Sequence, residues 1–91
     1  MNPYIANVQP LENHELILTF TNGEVRIFDT KPYLDKGVFK RLRDHRIFMG
    51  AHVVAGSVEW PGEIDLSYDT LYLGSQSTVP LAKNDLKNET T

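Results

Sequence analysis

The fold is decided by Glu15 to Asp29, ELILTFTNGEVRIFD, in which apolar and polar residues alternate on both sides of Asn22-Gly23. Alternation with a period of two is typical of a strand that buries one face. An Asn-Gly pair between two such runs is a strong signal for a β-hairpin. The sequence therefore predicts that this hairpin forms the centre of the fold.

The predicted register of the hairpin separates its two faces. With Asn22 and Gly23 as a two-residue loop, Phe20 pairs with Val25 and Leu18 with Ile27. One face is then the core face, formed by Leu16, Leu18, Phe20, Val25 and Ile27. On the opposite face Ile17 lies opposite Phe28, and this apolar pair needs either another part of the chain or a partner to cover it.

The segments on either side of the hairpin predict a meander and a helix. Alternation from Tyr4 to Gln9 predicts an edge strand that ends at Pro10, which completes a three-stranded antiparallel meander. After the hairpin, Val38 to Asp44 fits a short amphipathic α-helix. Its apolar side would consist of Val38, Phe39 and Leu42.

The second half predicts a further small hairpin and a second helix. A β-rich run from His52 precedes Gly56, and the turn residues Pro61-Gly62 precede Ile64 to Leu66. Ser67 fits the N-cap of a short helix that ends at Leu73. We predict an α+β fold: an antiparallel meander and a second small hairpin with two short helices packed on the sheet. This single domain would span residues 1–73, and residues 74–91 would form a flexible polar tail.

Composition favours a cytoplasmic protein without a cofactor. The 91 residues include no cysteine, which excludes disulfides and cysteine zinc sites. The N-terminus has no basic region followed by an apolar run, and no segment is long and apolar enough for a membrane helix, so we expect no membrane association. The three histidines, His14, His45 and His52, have spacings that fit no common metal motif.

Charge is segregated along the chain, although the formal total is only -3. Five of the nine basic residues lie between positions 36 and 46, so a nucleic-acid-binding accessory module that uses Lys40, Arg41 and Arg43 is an alternative function. The acidic total disfavours nucleic acid as a partner.

Carboxylates concentrate further along the chain, at Glu59, Glu63, Asp65 and Asp69. A carboxylate-based enzyme is a third function, because acid/base catalysis needs two carboxyl groups with different pKa values. No nucleophile motif or phosphate-binding loop accompanies these residues, and we predict a protein that is not an enzyme.

Aromatic residues accompany the acidic stretch and suggest a protein-binding surface. Trp60, Tyr68 and Tyr72 belong to the residue types that most often anchor interfaces, and they are also common in cores. The candidate partner-binding residues are therefore Trp60, Asp65, Tyr68, Asp69 and Tyr72, and their negative charge would favour a basic partner.

Three segments taken in order resemble a small bacterial family known as domain of unknown function 2442. They are LTFTNGEVRIFD (18–29), KPYLDKGVFKRLRD (31–44) and VEWPGEIDLSYDTLY (58–72), and the resemblance extends from Tyr4 to Leu73. Family members commonly continue Trp-Pro with Asn-Gly-Ala, whereas this chain has Gly62-Glu63-Ile64. Some relatives carry a C-terminal helix-turn-helix domain, and residues 74–91 are too short and polar to form one.

The resemblance implies an α+β domain without an established activity, often encoded beside another small uncharacterised protein in what looks like a toxin-antitoxin pair. It implies no catalytic residues. The leading hypothesis is an antitoxin-like protein-binding module in the cytoplasm, whose partner is a small protein, the product of the adjacent gene. Self-association into a homo-oligomer stays open.

Overall fold

Residues 1–78 are described by a computed structural model of the chain. In this range the chain forms strands, two α-helices and two 3-10 helices. The strands are β1 Ile5–Pro10, β2 Glu15–Phe20, β3 Val25–Asp29, β4 His52–Val54, β5 Ser57–Trp60, β6 Ile64–Leu66 and β7 Gln76–Ser77. The helices are α1 His45–Phe48 and α2 Tyr68–Gly74, and the 3-10 helices are Lys31–Tyr33 and Gly37–Arg43.

The strands form two antiparallel sheets, which confirms the predicted α+β fold class. The first sheet has the order β1-β2-β3-β7, and the second sheet is the meander β4-β5-β6. They meet where β1 lies against β4 and β5, and the Ile5 amide donates to the Gly56 carbonyl at 2.8 Å. The chain thus passes from one sheet through the helical segments to the other.

Both sheets and the helical segments contribute to one hydrophobic core. The first sheet supplies five buried side chains, the second sheet four, and the helical segments three. These are Ile5, Leu16, Leu18, Phe20 and Phe28, then Val58, Trp60, Ile64 and Leu66, and finally Leu42, Phe48 and Leu71. A domain of this size stabilises itself mainly through such a shared core, because neither sheet buries enough apolar surface alone.

The central hairpin is present, but its predicted register is wrong by one residue. Thr19 pairs with Val25, and Leu18 pairs with Arg26. The loop has three residues, because the Phe20 amide donates to the Glu24 carbonyl at 2.8 Å. Within the loop only Gly23 has a positive φ, at 92°, whereas a two-residue type I′ turn needs a positive φ at both central positions. The loop is therefore a turn followed by a glycine bulge.

The corrected register exchanges the two faces of β3. Phe28 lies opposite Leu16 and is buried, whereas Ile27 lies opposite Ile17 on the other face. A shift of one residue moves every side chain of a strand to the opposite face, so Val25 and Ile27 are not core residues as predicted. Arg26 lies on the core side instead. The predicted Ile17–Phe28 pair does not exist.

The segment after the hairpin is helical, but it is a 3-10 helix and not the predicted α-helix. Amide-to-carbonyl bonds join Phe39 to Lys36 and Asp44 to Arg41, both with the i to i-3 spacing of a 3-10 helix. Side chains three residues apart eclipse in this geometry, so Phe39 and Leu42 face the core together. Val38, expected on the apolar side, is 52% exposed.

The predicted turn and cap residues of the second half are confirmed. Ala55 and Gly56 both have positive φ and connect β4 to β5, and Pro61 to Glu63 connect β5 to β6. The Ser67 hydroxyl accepts from the Thr70 amide at 3.3 Å and caps α2.

Secondary structure continues past residue 73, where the predicted domain ends. Helix α2 extends to Gly74, and Gln76–Ser77 then adds a strand to the free edge of β3. The Thr78 hydroxyl donates to the Val25 carbonyl at 2.7 Å. The backbone amides and carbonyls at the edge of β3 explain this pairing, since they can form hydrogen bonds with the backbone of polar residues as well as apolar ones. Residues 79–91, the rest of the predicted tail, lie outside the described residues.

Candidate protein-docking surface

Trp60, the first predicted partner-binding residue, lies in the core and not on the surface. Its side chain is 2% exposed and stacks on Phe48 with ring centroids 6.2 Å apart. Its indole Nε1 donates to the Phe48 carbonyl at 3.0 Å. The β5 strand places Trp60 on the same inner face as Val58. Nearly all of the Trp60 side chain is covered by other residues of the chain. Trp60 therefore cannot contact a partner in the folded chain.

The two predicted tyrosines are half-buried and contact other parts of the chain. Tyr68 packs against Tyr4 with ring centroids 4.5 Å apart, and its amide donates to the Ser57 hydroxyl. Tyr72 meets the Phe20 ring edge to face at 5.1 Å. Both residues share one face of α2, as predicted from their spacing, and that face holds the helix on the sheets.

The predicted acidic residues are exposed but are divided between two elements. Asp65 on β6 lies opposite Glu59 on the solvent-facing side of the second sheet. On the same face, His52 on β4 is the other cross-strand neighbour of Glu59. Asp69 lies in the first turn of α2 and accepts from the Asn2 side chain at 3.0 Å. Its charge raises the pKa of the Tyr68 hydroxyl.

The structure of residues 1–78 offers these carboxylates no enclosed site. This part of the chain encloses no pocket and has no cluster of three acidic or histidine side chains arranged for a metal ion. Asp65 and Asp69 are therefore surface charges on open elements. A carboxylate-based enzyme, the third function considered above, would need a pocket to separate their pKa values.

A polar cluster that the sequence did not reveal joins the hairpin to α2. Arg26 donates from Nη1 to the Glu24 carboxylate at 3.0 Å, from Nε to the Ser75 hydroxyl at 2.7 Å and from Nη2 to the Ser75 carbonyl at 2.8 Å. The Tyr72 hydroxyl donates to Glu24 at 2.8 Å, and the Arg26 guanidinium lies 4.7 Å from the Tyr72 ring centroid. We call Glu24, Arg26, Tyr72 and Ser75 the clasp. Tyr72 is thus committed to an internal contact.

Hydrogen bonds within the clasp and from the neighbouring Asn22 shift the pKa values of Glu24 and Tyr72. The bond from the Asn22 side chain, and after it the bond from Tyr72, holds the pKa of Glu24 below its usual range. The bond to Glu24 raises the pKa of the Tyr72 hydroxyl. Each shift favours the protonation state that the clasp needs at neutral pH, with Glu24 ionised and Tyr72 neutral.

Replacing Tyr72 with phenylalanine is expected to destabilise the chain at neutral pH and to matter less in acid. The folded pKa of Glu24 is lowered, so its stabilising contribution is complete above the unfolded pKa and is lost as the pH falls through the folded value. Urea unfolding of both proteins at about pH 7 and about pH 3 measures the difference between them. A difference that stays constant with pH would contradict this role. Tyr33→Phe is the matched control. It also removes one tyrosine hydroxyl, but Tyr33 does not belong to the clasp, and its ring packs on Phe28.

The basic residues of the second 3-10 helix do not form one continuous stripe. Three residues per turn place Lys40 and Arg43 above one another, whereas Arg41 lies on a different edge. Arg41 Nη1 donates to the Gly62 carbonyl at 3.2 Å and so contacts the β5–β6 turn. The alternative nucleic-acid site thus has two aligned cations, Lys40 and Arg43, and a third that is hydrogen-bonded elsewhere.

The first sheet has an apolar surface on the side away from the core. Ile17 and Ile27 lie directly opposite each other, and Val25 follows on β3 opposite Thr19. None of the three apolar side chains belongs to the core or packs against it, and Val25 is 38% exposed. Each helical segment of residues 1–78 places at least one side chain in the core or against it, so the helices lie on the other side of this sheet. We call Ile17, Thr19, Val25 and Ile27 the outer face.

Two carboxylates border one end of the outer face. Glu15 lies opposite Asp29. This pair is two positions along the strands from Ile17 and Ile27, and it therefore lies on the same side of the sheet. Asp29 forms an ion pair with Lys31 at 3.0 Å, and Glu15 accepts from the Asn13 side chain at 2.9 Å. One ammonium thus accompanies two carboxylates. The remaining negative charge makes the end of the outer face next to Ile17 and Ile27 acidic.

The outer face is small. Two strands about 4.8 Å apart, each with about five residues at about 3.4 Å per residue, give an area of about 160 Å². A typical stable protein–protein interface buries about 800 Å² on each partner. A single helix of about 12 residues is about 18 Å long and 10 Å wide, which matches the available area. The outer face thus suits one secondary-structure element more than a second complete sheet.

Comparison with known proteins identifies a family without an assigned function. A family model described as "Protein of unknown function (DUF2442)" matches residues 5–77, a range that ends on β7. No curated protein and no solved structure matches the chain. Among residues 1–78, no helix has the length and apolar character that a membrane crossing requires.

Proposed function

Because the chain belongs to the family described as protein of unknown function (DUF2442), which carries no activity with it, we propose from its surface that it is a cytoplasmic protein-binding module. Its partner is a small protein encoded by the adjacent gene. The observation that carries this proposal is the outer face, where two isoleucines and a valine remain outside the core of a small domain. Apolar side chains grouped on one sheet face usually obtain burial from another layer.

The chemistry of the outer face specifies the element that docks on it. Its area fits one amphipathic helix of the partner, whose apolar stripe would lie on Ile17, Ile27 and Val25. The carboxylates of Glu15 and Asp29 favour a lysine or arginine at the corresponding end of that helix. The negative total charge of the chain, -3, favours a basic partner in the same way.

An antitoxin-like role follows if docking masks the partner's active surface. The domain has a single core and no long insertion among residues 1–78, so docking on the outer face would place one compact body over the partner. Neutralisation would then depend on the same contacts as binding. Both activities should respond in parallel to substitutions on the outer face.

Replacing Val25 with lysine is expected to weaken binding of the adjacent gene product by at least about tenfold, since a charge would be buried without a partner. The matched control is Val54→Lys. Val54 is 37% exposed on β4 of the second sheet, whereas Val25 is 38% exposed on the first. Isothermal titration with the full chain and the purified partner measures both affinities. Growth of cells that express the partner measures neutralisation.

Three outcomes would contradict the proposal. If Val25→Lys binds like the unmodified chain, the outer face is not the docking surface. If Asp65→Lys removes binding and Val25→Lys does not, the partner docks on the acidic side of the second sheet. If light scattering shows a dimer that Val25→Lys dissociates, the outer face is covered by a second copy of the chain.

A further inference from the structure

The turn at Asn22-Gly23 contains the reactive pair of a spontaneous covalent reaction. In such a pair the backbone nitrogen of the glycine attacks the side-chain Cγ of the asparagine. A C–N bond forms, ammonia leaves, and the product is a five-membered succinimide. Water then opens the ring to aspartate or isoaspartate. Glycine makes this attack easiest because no Cβ hinders the approach, and both residues are exposed to water.

In the folded turn, every group that this reaction needs is engaged in a hydrogen bond. The Gly23 amide, which is the nucleophile, donates to the Phe20 carbonyl at 2.9 Å. Asn22 Oδ1 accepts from the Glu24 amide at 3.0 Å, and Asn22 Nδ2 donates to the Glu24 carboxylate at 2.7 Å. These bonds fix the side-chain amide on Glu24 and fix the Gly23 amide on the Phe20 carbonyl, so both must be released before the Gly23 nitrogen can attack.

Glu24 is itself held from the other side by the clasp. Its carboxylate accepts from Arg26 at 3.0 Å and from the Tyr72 hydroxyl at 2.8 Å. The contact with Tyr72 joins residues 48 positions apart, so the turn is braced by α2 as well as by its own backbone. Reaction of Asn22 requires this bracing to open.

We propose that Asn22 is a deamidation site whose reactivity is controlled by Glu24. Folding slows the reaction of Asn22, and opening of the hairpin end allows Asn22 to form aspartate or isoaspartate. The aspartate product places a carboxylate oxygen where the Nδ2 donor had been, 2.7 Å from the Glu24 carboxylate, and the isoaspartate product reroutes the main chain through the former side chain of the turn. Two carboxylates at that distance repel each other, so the reaction weakens the clasp that preserved the turn.

The test measures the fraction of converted Asn22 over time in the full chain at mildly alkaline pH, by mass spectrometry of the peptide that contains it. The folded chain should react at least about tenfold more slowly than the chain in urea, because opening must precede reaction. Glu24→Ala should react several times faster than the unmodified chain while its circular dichroism stays native. Glu15→Ala is the matched control, since Glu15 accepts from Asn13 at the opposite end of the hairpin, and it should not change the rate.

The proposal is overturned if Glu24→Ala and the unmodified chain react at the same rate, or if folding gives no protection. Asn22→Asp supplies an independent check that does not depend on the reaction rate. It should unfold at lower urea than the unmodified chain at neutral pH, and the difference should shrink in acid, where protonation removes the repulsion. An unchanged unfolding midpoint at neutral pH would exclude the effect on the clasp.

Discussion

Replacing Trp60 with alanine is expected to remove about 3–5 kcal/mol of the free energy of unfolding, the usual cost of deleting a large buried aromatic side chain. Small domains are typically stable by only about 5–15 kcal/mol, so this one change takes a large part of the total. The side chain is 2% exposed and joins the second sheet to α1 through its contacts with Phe48. The cavity would lie in the core that both sheets share.

Urea unfolding followed by far-ultraviolet circular dichroism measures this loss, since the variant lacks the tryptophan needed for fluorescence. Trp60→Phe is the matched control, because it keeps most of the ring packing and removes the Nε1 donor to the Phe48 carbonyl. It should cost about 0.5–1.5 kcal/mol for the lost hydrogen bond, since the Phe48 carbonyl still accepts from the Ala51 amide at 3.2 Å. If Trp60→Ala were as stable as the unmodified chain and only bound its partner less well, Trp60 would be a surface anchor after all.

The Trp60 result also bears on how binding data are interpreted. Tryptophan and tyrosine are enriched both in interfaces and in cores, so the residue type alone does not distinguish the two roles. What decides is the strand: Trp60 shares the inner face of β5 with Val58, and both are buried. A loss of partner binding in Trp60→Ala would therefore report unfolding. Surface variants such as Val25→Lys are needed to locate the docking site.

The elements of the fold could be predicted from local sequence, because their signals are local. Ser67 as the N-cap of α2 and the turn at Pro61-Gly62 depend on residues within a few positions of each other. The register of the hairpin could not be predicted in this way. An Asn-Gly pair fits a two-residue turn and also a three-residue loop that ends in a glycine bulge, and the two differ by one residue in pairing.

Hydrophobic pattern did not resolve the register, since β3 is apolar on both faces. One face carries Val25 and Ile27, and the other carries Arg26 and Phe28. An arginine on the core side becomes favourable because Glu24 pairs with it and because Ser75, 49 positions later, accepts two of its hydrogen bonds. No local pattern contains that information. The same long-range contacts explain why the short polar strand β7 and the clasp were missed.

The apolar residues outside the core could not be identified from the sequence for the same reason. The predicted Ile17–Phe28 pair pointed to the correct hairpin and the wrong residue of β3, because the unexplained apolar neighbour of Ile17 is Ile27. The composition of the strands therefore indicated an apolar pair that either another part of the chain or a partner had to cover. Only the register shows which side chains form it, and it combines Ile17 with Ile27 and Val25 in the outer face.

Replacing Phe28 with alanine is expected to cost about 3–5 kcal/mol, whereas Ile27→Ala, one residue away, should cost less than about 1.5 kcal/mol. Phe28 is 2% exposed and packs on the Tyr33 ring, and a Cβ at Gly74 would lie only 2.8 Å from its Cε1 atom. Ile27 stays outside the core and half-buried. Urea unfolding of the two variants measures both costs under the same conditions.

This pair of variants tests the register and the proposed docking surface together. The register predicted from the two-residue loop would bury Ile27 and reverse the order of the two costs, so a more destabilising Ile27→Ala would contradict the observed pairing. With the observed pairing, Ile27→Ala remains folded and exposes less apolar surface on the outer face. Its affinity for the partner should then fall while its stability is nearly unchanged. Phe28→Ala should instead lose binding only in the proportion in which it unfolds, because its side chain lies on the other side of the sheet.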